Sequence, residues 1–592
     1  MNQTLSHRGE NDAGTYHQGD VYLAHRRLSI IDLANGHQPL SCTYHGKKYT
    51  IVYNGEIYNT AELRAKLAAA KIKLRTNCDT ELVLKCYALD QAACLNYLRG
   101  IFAFAVYEQA SQTLFLARDQ IGVKPLFYYQ QGNRLAFASE IKALLQHPAI
   151  LPKVNLDGLR ELFGIAPART PGKTVYADIR EVKPGEYLTF ANSQLTATTY
   201  FTLQSKPHPD DAPTTADKLH QMLGTIVKQQ LVSDVNIGMF LSGGLDSSII
   251  TALSFQHLDQ KLKTFSVDYR GNAENFVPTD FTPSRDNQFI DLMATKYHVA
   301  HQYKIINSPD LFRALRDAVV ARDYPSMADI DSSLLLFCRE VKKDITVCLS
   351  GEFADEIFCG YPWFYRPDAL QADTFPWSIN LTMREQTLAK RLRAAVNVPE
   401  YVRQTYQAAL REVPLSPTDT AEDRVMKTYS YLTMRFFGLN LLERTDRVSM
   451  QTGLEVRVPF TDVDLVQYVY NIPWTMKNYG GYEKGILRHA FADELPRKVV
   501  YRKKCPYPKT VDPVYTKLVE NRVAELLRNT DHPLWQIVDA DYVSQVLQDT
   551  AQKHTRPWFG QLMNRPQYLA FIVQIAIWLQ EYHIILDLAN DA

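Results

Sequence analysis

The chain changes its hydrophobic grammar after about its first third. Up to about Gln204, short apolar runs alternate with polar positions or are rich in β-branched and aromatic residues: Lys48–Tyr53 (KYTIVY), Phe102–Tyr107 (FAFAVY), Thr113–Ala117 and Arg134–Ala138. Gly, Asn and Asp turns separate them, so they read as strands. Helical stretches at Thr60–Lys71 and Asp79–Asp90 are interspersed, which makes this part α+β, with antiparallel sheets and a few covering helices. Residues 205–215 (SKPHPDDAPTT) hold three prolines and no apolar period and read as a linker. A helix over Ala216–Val232 leads into an apolar strand, Val235–Leu241, with further strands at Thr264–Asp268 and Ile345–Leu349 and long helical stretches between them. That alternation predicts a parallel α/β sheet. From about residue 365 onward the pattern is mainly helical.

The run Tyr568–Leu579 (YLAFIVQIAIWL) is apolar all round. It is shorter than the ~20 residues that span a bilayer, so it reads as a buried core helix. A length of 592 residues requires at least two domains. Lys and Arg total 65 against 64 for Asp and Glu, a balance that gives no reason to expect nucleic acid or an anionic membrane as partner. Eight cysteines lie scattered, without a CxxC pair. Together with the lack of a secretory leader, this reads as a reduced, cytoplasmic protein.

The most informative string is Ser242–Ser248, SGGLDSS, directly after the strand Val235–Leu241. Adjacent glycines at a strand end let the backbone turn tightly and aim its N–H groups at an anion, and the following helix adds its positive end. The hydroxyls of Ser242, Ser247 and Ser248 add donors. Asp246 is out of place against a phosphate unless a cation lies between them, which suggests a magnesium bridge. A Gly-Gly turn that merely starts a helix is the bland alternative. A second strand end, Ser350–Tyr361 (SGEFADEIFCGY), brings Glu352 and Asp355 to the same crevice if the sheet is open and parallel. Those acids either hold magnesium and handle protons or cap the helix that starts there. Farther on, GLEVRVPFTD and YEKGILRHA carry Arg457, Lys484 and Arg488. Such cations would stabilise charge on a departing pyrophosphate, or they are a solvated helix face.

SGGLDSS, SGEFADEIFCGY, GLEVRVPF and EKGILR occur in the order seen in class B, glutamine-hydrolysing asparagine synthetases. Upstream, His25–Gln38 (HRRLSIIDLANGHQ), Tyr53–Asn59 (YNGEIYN) and Ala117–Pro125 (ARDQIGVKP) resemble that family's glutaminase domain. The resemblance covers nearly the whole chain. It implies an α+β N-terminal-nucleophile glutaminase domain (residues 1–204), the linker 205–215, and an α/β parallel-sheet synthetase domain of the ATP pyrophosphatase type (216–592), with a tunnel between the two sites. By resemblance, Arg27 clamps the glutamine carboxylate, Asn54 and Gly55 form an oxyanion hole, and Glu56 and Asp79 hold the ammonium. Leu241, Val267, Ser350 and Gly351 resemble adenosine contacts. Ser242, Gly243, Gly244, Asp246 and Ser247 form the phosphate loop, and Asp246 and Asp355 match the Mg2+ ligands. Glu352 matches the glutamate tied to the acyl-adenylate, and Lys484 the lysine on the phosphates. The implied reaction converts aspartate to asparagine through β-aspartyl-AMP, with ATP and Mg2+ required, small-molecule substrates, and a homodimer common in the family.

The chain departs from the pattern at several points. The family begins Met-Cys-Gly, its terminal cysteine being the glutaminase nucleophile, whereas this chain begins MNQTLSHRGENDAG. Its HRG matches a segment that the family places two to three dozen residues in, so a truncated or misassigned start is expected, with an unpaired sheet edge. Cys42, Cys78, Cys86 and Cys94 cannot supply a terminal amine beside a thiol. As it stands the chain is therefore expected to use free ammonia only. Glu10, Phe353, Cys359 and Thr461 also differ from the usual residues, and Phe353 beside Glu352 bears on the acceptor. The competing readings are an amidotransferase for a larger carboxylate and a catalytically silent homologue.

Overall fold

The computed structural model describes residues 1–258, 262–278, 283–549 and 564–588. In the first half, six strands form one antiparallel sheet. They are β1 (Leu40–Tyr44), β2 (Lys47–Ile57), β3 (Gly100–Glu108), β4 (Thr113–Arg118), β5 (Glu186–Ala191) and β6 (Gln194–Thr199), ordered β6-β5-β4-β3-β2-β1. β2 and β3 are buried on both faces, which explains why their sequences run apolar instead of alternating. The period of two still sorts them. Ile51, Tyr53, Phe102, Phe104 and Val106 pack against Leu82, Val83 and Tyr87 of helix α2 (Asp79–Asp90), beside which lies α1 (Thr60–Ala69). Val52, Ala103 and Ala105 turn the other way, toward Leu23, Leu126 and Val182. Large rings thus fill the helix side, and small side chains admit the hairpin Asp12–Gln18/Val21–Arg27 on the opposite side. The open sheet ends on β1 and β6; any open sheet has such edges, so they decide nothing about an expected unpaired edge.

The second half is built on a five-stranded, wholly parallel sheet. Its strands are β7 (Ile237–Phe240), β8 (Lys263–Tyr269), β9 (Ala300–Ile306), β10 (Val347–Leu349) and β11 (Glu455–Arg457), ordered β9-β8-β7-β10-β11. Two of these strands escaped the sequence pattern. Ala300–Ile306 (AHQYKII) carries too many polar residues to read as a buried strand, and Glu455–Arg457 is too short to show a period. The chain leaves β7 toward β8 on one side and reaches β10 on the other, so the order reverses between β7 and β10. In open α/β sheets this switch point opens a crevice at the strands' C-terminal ends.

Helix α3 begins at Ala212, four residues before the sequence expectation of Ala216, and ends at Gln230. Asp211 caps it, accepting from Thr214 N at 2.9 Å, and Pro213 suits the first turn, where no donor is needed. The apolar run near the C-terminus is a core helix, Arg565–Glu581, with Trp578 fully buried. No described helix is long and apolar enough to cross a membrane.

Candidate active sites

The loops leaving β7 and β10 press together at the switch point. Gly243 takes a left-handed φ of +65°, and a Cβ there would fall 2.7 Å from Phe289 and Ile290 atoms. A Cβ on Gly351 would fall 2.7 Å from Ser247 N. Glycine at these two positions is thus what lets the loops meet. Helix α4 (Leu245–Leu258) starts inside the first loop. Ser247 Oγ accepts from Ser242 N at 3.2 Å and lies 3.0 Å from Ser242 Oγ, which fixes the loop's curl.

A cavity of about 270 Å³ opens there. Leu241, Ser242, Gly244, Asp246, Ser247, Val267, Ser350, Gly351, Glu352, Asp355 and Lys484 all line it. Gly243 does not; it faces Phe289 and Ile290 and serves the turn alone. Its lining joins apolar side chains, Phe240, Phe265, Leu334 and Phe337, to a charged group. Lys484 Nζ lies 2.6 Å from Asp246 Oδ2 and 2.5 Å from Asp355 Oδ1, and Lys504 Nζ lies 2.5 Å from Asp355 Oδ2. Burial alone would raise the Asp355 carboxyl, but Lys484 and Lys504 outweigh it and hold it well below the usual range. Burial keeps Asp246 above its ordinary value despite Lys484.

These two carboxylates share one cation, Lys484, which brings both acids to one point of the cavity. Among the described residues no group of three or more His, Cys, Asp or Glu forms a ready metal cage. Two carboxylates suit magnesium, which is usually held by one or two acids together with substrate phosphates.

Glu352 points into the same cavity and is gripped from helix α5 (Leu439–Met450). Arg444 Nη2 donates to its Oε1 at 2.9 Å, and Thr445 Oγ1 donates to its Oε2. Sequence reasoning missed Arg444, Thr445 and Lys504. Arg444 and Thr445 sit in a charged run, LERTDR, that looks like a solvated face yet is buried. The only signal for Lys504 was the basic string RKK before a proline-rich turn. Arg457, proposed from sequence as a phosphate cation, is elsewhere. It is 1% exposed on β11, donates to Gln230 O and Val232 O, and pairs with Glu455 at 2.8 Å. Arg488 lines the cavity, but it spends its donors on Val500 O, Arg502 O and Glu483.

A second cavity, about 120 Å³, gathers Arg27, Asn54, Gly55, Glu56 and Asp79 as expected, together with His25, Gln38, Cys78 and Thr80. Asn54 Nδ2 is buried with no hydrogen-bond partner among the described residues. A Cβ on Gly55 would lie 2.2 Å from Ile101 O, so the backbone can pass there only as glycine. Arg27 already donates to the carbonyls of Leu33, Ile31 and Asp32 at 2.9–3.0 Å. A bidentate clamp on a carboxylate therefore requires that loop to yield. Asp79 accepts from Tyr53 OH at 2.8 Å, and burial raises it, as it does Glu56 against the pull of Arg457 3.4 Å away. Burial lowers His25 to about 4 and raises the Cys78 thiol to about 12. Met450 and Glu455, from the second half of the chain, complete the wall.

The model of the asparagine synthase family matches residues 218–580, and that of the glutamine amidotransferase domain matches residues 1–201. Glutamine-hydrolysing asparagine synthetase 3 of Bacillus subtilis (strain 168) is 43% identical over 591 residues, covering 99% of this chain and 96% of that protein. Asparagine synthetase 1 of the same organism is 30% identical, covering 93% and 89% respectively. Asparagine synthetase B of Escherichia coli (strain K12) is 27% identical, covering 85% and 77%. With both cavities built from the motifs of its two halves, the chain belongs to the asparagine synthase family and is an enzyme of the glutamine-hydrolysing asparagine synthetase type.

Proposed function

We propose that the enzyme joins ammonia to the β-carboxylate of L-aspartate, using ATP and passing through β-aspartyl-AMP. The observation that carries this reading is the meeting of Asp246, Asp355, Lys484 and Glu352 in one cavity at the sheet's switch point. A carboxylate resists ammonia because its oxygens leave poorly; adenylation supplies a leaving group. The apolar lining that includes Leu241 and Val267 receives the adenine, and the Ser242–Ser247 loop receives the phosphates. Lys484 and Lys504 stabilise the charge that develops as pyrophosphate departs. Asp246 and Asp355 would hold Mg2+ on those phosphates, which supplies charge neutralisation during the displacement. Glu352, oriented by Arg444 and Thr445, faces the acyl-adenylate and takes the proton that ammonia must lose.

In the second cavity we assign Arg27, Glu56 and Asp79 to glutamine, with Asn54 Nδ2 and Gly55 N as oxyanion donors. Cys78 is the one thiol on its wall among the described residues, and burial pushes it up to about 12, which disfavours the thiolate. We therefore do not assign Cys78 as a glutaminase nucleophile, and take ammonia as the nitrogen source on which the synthetase cavity acts directly. We place the division between the two units in residues 205–215. Aspartate-dependent AMP formation from ATP and ammonium, with the product identified by mass spectrometry, tests the reading. A folded protein that forms no AMP with saturating aspartate refutes it.

A further inference from the structure

Helix α5 touches both cavities. Arg444 and Thr445 hold Glu352, while Met450 lies on the wall of the glutamine cavity. The residue between these contacts, Asp446, is turned about 100° from Thr445 by the helical step and so faces the amidotransferase half. Its two carboxylate oxygens accept from Lys124 Nζ at 3.0 Å and from Arg8 Nη2 at 2.7 Å. Arg8 is 5% exposed, lines the glutamine cavity, and spends its other nitrogen on Glu140 Oε1 at 3.0 Å.

We propose that Asp446 is a positioning residue for the synthetase reaction, transmitting to Glu352 the grip that Arg8 exerts from the amidotransferase unit. The inference rests on the adenylation chemistry proposed above. The groups involved are nearly all buried, so the pairs are little screened, and removing Arg8 leaves Asp446 drawn to Lys124 alone, with one carboxylate oxygen unpaired. A helical turn is stiff. Whatever shifts Asp446 carries Thr445 with it, and Thr445 and Arg444 between them hold both oxygens of Glu352. Arg8 does not line the nucleotide cavity, yet it sets the geometry of a group that acts there. Lysine cannot replace it fully, because one ammonium cannot reproduce two guanidinium nitrogens that bond Glu140 and Asp446 separately.

The test is steady-state AMP formation with ammonia by the full chain. Arg8→Gln should lower kcat roughly tenfold or more while the KM for ATP stays within about twofold, because misplacing a reacting group costs turnover and not nucleotide binding. Arg8→Lys should recover part of that loss. Arg8→Gln combined with Thr445→Val should be no slower than Thr445→Val alone, since both act through one contact. Additive losses, or a loss expressed in KM, would overturn the proposal. If Arg8→Gln does not fold, Arg8→Lys decides: reduced kcat at constant KM supports the relay, and wild-type kcat overturns it. If the wild type forms no AMP at all, the chemistry fails, but a crystal structure of Arg8→Lys still reads the relay. Glu352 parted from Thr445 supports it; Glu352 unmoved overturns it.

Discussion

Lys484 Nζ sits 2.6 Å from Asp246 Oδ2, so the EKGILR segment is locked onto the acid of the glycine-rich loop, 238 residues away in sequence. In the proposed reaction Asp246 would hold a divalent ion and Lys484 would contact the phosphates, so the pair would have to part. Asp246→Ala and Lys484→Ala should each cut aspartate-dependent pyrophosphate release by on the order of 10²–10³-fold, the range for losing a group that stabilises transition-state charge. Circular dichroism should show both variants folded. Normal release by a folded Asp246→Ala protein removes that residue from the mechanism.

Asn54 Nδ2 is a buried donor without a partner among the described residues, an arrangement that costs stability at rest, about 1–3 kcal/mol for such a group. Asn54→Ala should therefore leave the melting temperature unchanged or raise it, while weakening glutamine binding measured by calorimetry. A clear drop in melting temperature would mean that the amide has a structural partner and is not held ready for a ligand.

How much of this was legible in the sequence differs between the two halves of each site. The motif-bearing loops were readable because they follow apolar strands and use residue types with few other purposes: Gly243 for a positive φ, Asp246 in a phosphate loop. The parts that hold those loops in place were not readable. Arg444, Thr445 and Asp446 form a charged helical run, and nothing in a single sequence distinguishes a buried charge network from a solvated face. Arg457 shows the converse. It sits in a motif string, but its side chain closes a contact between the halves, 3.4 Å from Glu56, and does not line the cavity of Asp246 and Lys484.

Phe353 adopts φ +75° beside Glu352, a left-handed conformation that glycine takes freely. Its ring is buried near Gly438 and lines the nucleotide cavity. Phe353→Gly should relieve about 1–2 kcal/mol of backbone strain but lose about 3–5 kcal/mol of ring burial, for a net destabilisation read by urea titration. It should also enlarge the acceptor side. In competition between aspartate and a larger carboxylate peptide, the wild type should amidate aspartate preferentially, and the variant should discriminate less. Preference of the wild type for the peptide would overturn aspartate as acceptor.

Glu356 is buried beside Asp355, accepts from Tyr361 OH at 2.8 Å, and is raised to about 8, first by burial and then by the Asp355 charge. Because its folded value lies above the unfolded one, the folded protein binds the extra proton between roughly pH 4.5 and 8. Its contribution to stability is thus present below that window and is lost as pH rises through it. Urea midpoints of the ligand-free protein should fall from pH 6 to pH 8.5, and Glu356→Gln should flatten that slope. An unchanged slope in the variant would assign the pH dependence to another group.

The two cavities make opposite demands on nitrogen, and this separates them experimentally. The glutamine cavity offers a binding wall and an idle amide donor, but forming an acyl-enzyme requires an attacking thiolate. Its one wall thiol among the described residues, Cys78, is pushed to about 12 by burial and by Asp79. On the proposed reading the synthetase cavity should form asparagine from ATP, aspartate and ammonium salts, and Cys78 should not release glutamate from glutamine. In the proposed reaction ammonia needs only the Glu352 side of the molecule, and only the neutral amine attacks, so the rate at fixed total ammonium should rise with pH until the fold weakens. Glutamate release above a heat-inactivated control would contradict this, and Cys78→Ser would then show where the nucleophile lies. Loss of release in that variant would make Cys78 an activated thiol despite its surroundings. Persistence would place the attacking group at another residue of the pocket.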